Sequence, residues 1–152
     1  TDDVARALAD AGVAGQIRTL DSSARTAALA AEQLGVPVGA IANSLVFDAD
    51  GDPLLVMTSG AHRVDTILLA QTLGKQSIKR ADADFVRQHT GQVIGGVAPV
   101  GHPSQLRTVV DTALANYPTL WAAGGHPHAV FPTTYAELVR ITSGAELPVA
   151  RD

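Results

Sequence analysis

Residues Gly91–His102 read GQVIGGVAPVGH, with four glycines and one proline set among apolar residues. Neither a regular helix nor a regular strand tolerates that density of glycine, because each one surrenders backbone order that a side chain would enforce. The segment therefore predicts an irregular loop between two apolar runs. Glycine also lets a backbone come close to a ligand, so Gly95, Gly96 and Gly101 are candidates to shape a surface on which main-chain N–H groups face a bound molecule. A structural turn between strands is the competing reading, and the rest of the chain has to decide.

Working outward, Ala83–His89 predicts a short helix before the loop, and Val64–Leu73 a longer one closed by Gly74. Ile41–Phe47 and Pro53–Thr58 read as paired strands across a hairpin turn at Asp48–Asp52. Further towards the N-terminus, Asp21, Ser22 and Ser23 offer N-cap oxygens to a helix Ala24–Leu34 that ends at Gly35. Val4–Ala11 predicts another helix and Gln16–Leu20 a strand. Beyond the loop, strands are expected at Leu106–Val110, Leu120–Ala123 and Ala129–Phe131, with a turn or short helix at Asp111–Tyr117. Thr133 or Thr134 caps a last helix through Ile141, and the residues after Glu146 read as a loose tail. The periodicity alone predicts an α+β protein with helices around a mostly antiparallel sheet.

With 152 residues, 46% of them hydrophobic, the chain has enough material for one domain and too little for two. Repeats, low-complexity tracts and long charge runs are absent, so residues 1–152 are expected to act as a single unit. No apolar run approaches the length of a bilayer span and Thr1–Val4 lacks the basic start of a secretory signal, so no membrane partner is expected and a cytoplasmic location is. The chain has no cysteine, which removes disulfides, thiol nucleophiles and thiolate metal sites. A formal net charge of −4 argues against a broad nucleic-acid-gripping surface. Scattered basic residues, with a modest cluster at Lys75, Lys79 and Arg80, still suffice for contact with an RNA end.

Asn43-Ser44-Leu45-Val46-Phe47, the segment Gly95–Gly101 and Gly124-Gly125-His126 together resemble the YbaK/prolyl-tRNA synthetase-associated domain family, the aminoacyl-tRNA editing deacylases. The likeness runs from Thr26–Gly35 to Glu137–Thr142, and the GGVAPVG segment is its most specific part. The resemblance implies a mixed, partly barrel-like sheet surrounded by helices. It implies a pocket lined by Gly95, Gly96, Val97, Ala98, Pro99 and Gly101, with Ser44 beside it and Gly124, Gly125 and His126 as another wall. In the family pattern a lysine usually stands where this chain has Asn43, so a neutral amide replaces a point charge at a position of catalytic weight. Gly101 and Asn43 are thus the expected catalytic positions. Partners implied are the acceptor end of an aminoacyl-tRNA and a synthetase that delivers it.

Other chemistries find little support. His126-Pro127-His128 is the nearest approach to a metal motif, but no HExxH or His/Cys cluster accompanies it, and no metal or cofactor is expected. A G-x-S-x-G elbow, a Walker loop and a GxGxxG unit in strand-turn-helix order are all missing. Ester hydrolysis, by contrast, needs an aimed water, oxyanion donors and a selective cavity, which backbone N–H groups in a glycine-lined pocket can supply. Three readings remain open: trans-editing of a mischarged tRNA carrying a small amino acid, on tRNA-Pro or a related tRNA; a non-catalytic module binding an aminoacyl-adenosine, nucleotide or other small ligand; and an interaction protein, as a homodimer for instance, that uses the fold without the cleft.

Overall fold

Residues 54–59 are buried without a break, which puts their strand at the centre of the sheet with a core on each face. The computed structural model describes residues 2–13, 15–20, 26–92, 97–103, 105–125 and 128–150. Its helices are α1 (Asp2–Asp10), α2 (Ala27–Leu34), α3 (Thr66–Leu73), α4 (Ala83–Thr90) and α5 (Tyr135–Thr142). Its strands are β1 (Arg18–Thr19), β2 (Ile41–Ala49), β3 (Asp52–Ser59), β4 (Ile78–Arg80), β5 (Arg107–Asp111), β6 (Leu120–Ala123), β7 (Ala129–Thr133) and β8 (Ala145–Leu147). Among the described residues these eight strands form one mixed sheet in the order β1-β7-β6-β2-β3-β5-β8, with β4 added to β2. Four pairings are antiparallel and three, β2 with β6, β3 with β5 and β5 with β8, are parallel. This is the helix-surrounded mixed sheet expected of the editing fold.

Alternation along β3 separates the two main cores. Leu55 and Met57 join Val4, Leu8, Val46, Val97, Phe131 and Leu138 on one side; Leu54 and Val56 join Phe47, Leu69 and Val109 on the other. A third cluster, in which Ala30 and Ala31 of α2 meet Leu20 and Ile41, closes one end of β2. The Thr26 hydroxyl caps α2 by accepting the Leu29 N–H at 3.2 Å. The Asp21–Ser23 cap expected from sequence lies outside the described residues. Asp65, Asp82 and Thr134 cap α3, α4 and α5 in the same way, each accepting an N–H three residues on.

The expected hairpin is present, with a two-residue turn in which Asp50 (φ 53°) and Gly51 (φ 95°) both take positive φ, as a type I′ turn requires. Asp50 also reaches beyond the turn, where its carboxylate accepts the Gln76 and Ser77 N–H groups at 3.0 and 2.8 Å. These bonds, the Gln76 one foremost, hold its pKa below the usual carboxylate range and anchor β4 against the hairpin.

Two expectations are corrected. The residues after Glu146 are no loose tail: β8 pairs with β5, Val149 is fully buried and Val149 O accepts the Asp65 N–H at 2.7 Å. The strand expected at Gln16–Leu20 shortens to β1, whose two residues pair with β7. Strand β4 lies in a stretch read as connection, because three residues with two exposed side chains carry no alternating pattern.

Candidate functional site

The pairing of β2 leaves a gap in the sheet among the described residues. Residues 41–42 pair with β6 and residues 47–49 with β4 on one edge, so among the described residues no strand covers that edge at 43–46. Ile41 O accepts the Gly60 N–H at 2.7 Å on the β3 side, whereas Val46 O accepts the Ala81 N–H at 3.3 Å on the other. Backbone groups alternate sides along a strand, so Ser44, like Val46, turns its N–H and C=O into the gap.

Over this gap lies a cleft of about 310 Å³. Asn43, Ser44 and Val46 form its floor, Thr26, Ala27 and Ala30 of α2 one wall, Trp121, Ala123 and Ala129 another, and Arg80, Val86 and Val97 the side towards α4. The Asn43 amide makes no hydrogen bond to a described residue and is free to meet a ligand as donor and acceptor. The Ser44 hydroxyl donates to the Met57 thioether at 3.2 Å, a weak acceptor that leaves its lone pairs available. Arg80 is the one charged side chain among the described lining residues. No described histidine or carboxylate lines the cleft, and among the described residues no three His, Cys, Asp or Glu side chains group to hold a metal.

The glycine-rich loop is described from Val97 onward; Gly95 and Gly96 lie outside the described residues, as does His126. Val97 lines the cleft and is 2% exposed. Ala98 and Pro99 are buried, and the backbone groups of Ala98 are both engaged: its N–H donates to Gln92 Oε1 at 2.7 Å and its carbonyl meets His102 Nε2 at 2.8 Å. Gly101 faces a separate recess of about 150 Å³, shared with Pro99, His102 and Thr142. Gly124 donates to Ala129 O at 2.7 Å within the β6–β7 hairpin and Gly125 takes φ 94° beside it, so this pair shapes the connection that carries Ala123 and Ala129 to the cleft. The structure therefore gathers Asn43, Ser44 and Val97 at one cleft and seats Pro99 and Gly101 at the second recess.

Sequence reasoning missed Trp121, Arg80 and the α2 wall as cleft residues. Arg80 stood out only as part of a basic cluster, and nothing local marks Trp121. It also missed Gln92, whose side chain bonds Ala98 N–H and Val100 O and so moulds the loop.

Residues 21–141 match the model of the aminoacyl-tRNA editing domain, and the chain belongs to that family. It is 30% identical over 123 residues to the uncharacterized protein YwhH of Bacillus subtilis (strain 168), covering 80% of this chain and 78% of that one. It is 30% identical over 125 residues to the proline–tRNA ligase of Geobacter sulfurreducens, covering 76% of this chain but only 22% of the ligase. Among solved structures, that of a candidate trans-editing enzyme for prolyl tRNA synthetase superposes with a TM-score of 0.94 at 36% identity, covering 99% of this chain and 96% of that one. The family is thus one of editing domains related to those of prolyl-tRNA synthetases.

Proposed function

We propose that this chain, acting as one editing unit in the cytoplasm, hydrolyses in trans the ester of a mischarged tRNA, with a small amino acid on tRNA-Pro or a related tRNA. The observation that carries the reading is the cleft over the β2 gap, which Asn43, Ser44 and Val97 of the glycine-rich segment line in a member of the editing family. Its partners are the acceptor end of the aminoacyl-tRNA and a synthetase.

The Ser44 N–H is suited to hydrogen-bond the carbonyl oxygen as it gains charge, and Gly95 and Gly96 are candidates to supply further donors. The Asn43 amide can accept from an attacking water or the substrate's ammonium, and donate to a ribose oxygen. No described lining side chain is a general base. Water attack then relies on positioning and on a hydroxyl of the substrate's own terminal ribose, with proton transfer to the departing ribose oxygen. The alanines along the cleft leave room for a small side chain beside the ester.

A second reading rests on Asn43: with a neutral amide at this position, the cleft binds its ligand and leaves the ester intact. Deacylation of tRNA charged with Ala, Ser, Thr, Cys or Pro decides between the two, using the wild type, Asn43→Lys and the cleft-filling variant Ala27→Phe. Cleavage by the wild type that Ala27→Phe abolishes supports editing. Cleavage by Asn43→Lys alone supports the binding module, and silence from every protein overturns the editing reading.

A further inference from the structure

The described cleft lining is mostly aliphatic, and its flanks differ. Trp121 stands on β6 opposite Ile41, and Arg80 on β4 opposite Phe47, so the two side chains flank the uncovered stretch of β2. Their register partners are six residues apart along one strand, about 20 Å at the rise of an extended chain. Less the reach of both side chains, that is room for one nucleotide lying across the gap.

Each side chain is held ready and is chemically unspent. Trp121 is half-buried, with part of its indole packed against the α2 cluster and the rest in the cleft. Its indole N–H makes no hydrogen bond to a described residue. It is the only aromatic residue among the described lining. The Arg80 guanidinium lies 5.9 Å from the centre of the Phe47 ring, and among the described residues it pairs with no carboxylate. Asp50 pins the residues that lead into β4, which fixes where that cation sits. An aromatic face and an unneutralised guanidinium at opposite ends of one cleft match a base and its phosphate.

We propose that Trp121 and Arg80 form a nucleotide clamp: the adenine of a 5′-phosphorylated adenosine stacks on Trp121, its phosphate pairs with Arg80, and its ribose hydroxyls come to rest over Asn43 and Ser44. The clamp deepens the editing reading and rests on it only in taking the ligand to be an RNA 3′ terminus and not a free nucleotide. The assignment also orients the substrate, with its phosphate towards β4 and its base towards β6.

The chain has a single tryptophan, so its fluorescence reports this site alone. Titration with adenosine, AMP and a short RNA ending in adenosine is expected to change that fluorescence, with the RNA binding more tightly than AMP. Arg80→Gln weakens AMP about tenfold, from the loss of a charged hydrogen bond, and leaves adenosine unchanged. Trp121→Leu, followed by calorimetry, weakens adenosine and AMP alike by about fivefold or more, the range of base stacking. Binding without a fluorescence change, or an Arg80→Gln effect equal for adenosine and AMP, overturns the clamp. AMP binding more tightly than the RNA overturns the RNA terminus as ligand. Cleavage of charged tRNA by a protein in which these ligands leave Trp121 untouched sinks the clamp and spares editing; clamp behaviour without cleavage does the reverse.

Discussion

Ala98 donates its backbone N–H to the side-chain oxygen of Gln92 at 2.7 Å, and this bond ties the second half of the glycine-rich loop to the end of α4. Gln92 completes the tie by donating to Val100 O at 3.2 Å, while its own N–H is held by the Thr90 hydroxyl at 2.9 Å. One amide side chain thus does for the loop what a strand partner would do for a strand. Val97, next to this anchor, is the described loop residue that reaches the cleft.

Gln92→Leu keeps the bulk and removes the side-chain bonds to Ala98 N–H, Val100 O and Gly101 O, leaving the buried Ala98 N–H unpaired. We expect a loss of about 2–3 kcal/mol in urea unfolding, with a fall in any cleft activity as Val97 loses its support. An unchanged midpoint would show that the loop holds itself.

Gly101→Val acts on stability and not on the cleft. Gly101 has φ 84°, and a Cβ there would lie 3.2 Å from Val4 Cγ2 and 3.4 Å from Gln92 Nε2. The left-handed backbone alone costs a side chain about 1–2 kcal/mol, and crowding against α1 adds to it. Thermal melting should fall by several degrees while AMP affinity at 20 °C stays within about twofold, a change under half a kcal/mol.

Asp111→Ala should be among the most damaging single changes. The carboxylate is 1% exposed and accepts the Ser59 and Ala113 N–H groups, each at 3.0 Å, while lying 2.9 Å from His62 Nδ1. Removing it strands buried donors at the end of β3, for an expected loss of about 3 kcal/mol or more. Equilibrium denaturation measures this, and a loss below about 1 kcal/mol would contradict the network's importance.

Burial holds the His102 pKa below its ordinary value, with the contact to Ala98 O opposing the shift in part. The unfolded chain therefore takes up a proton that the folded chain resists. The contribution of His102 is complete above about pH 6.5 and is lost as pH falls through its lower folded value. His102→Gln can still donate to Ala98 O and does not titrate, so its stability should vary less with pH on the acid side of 6.5. Parallel stability–pH curves for the two proteins would contradict this assignment.

Much of the fold was legible because its signals are local. The turn at Asp50-Gly51, the glycine ends of α2 and α3 at Gly35 and Gly74 and the cap at Thr134 act within a few residues of themselves, and the apolar run of β3 marks a strand. Strands β4 and β8 were illegible, since three residues have no period of their own and become strands only because β2 and β5 offer an edge.

The sequence by itself determined the α+β class, the central hairpin, the helix ends and a resemblance strong enough to name the family. Those rest on hydrogen bonds and side-chain periodicities that span a turn or two of chain. Tertiary structure alone decided that Arg80 and Trp121 join Asn43, Ser44 and Val97 at one cleft and that Gly101 stands apart from it. That choice depends on which distant strands close onto β2 and where each pairing stops. Such long-range closure is settled by the burial and chain entropy of the whole molecule, and no short stretch of residues records it.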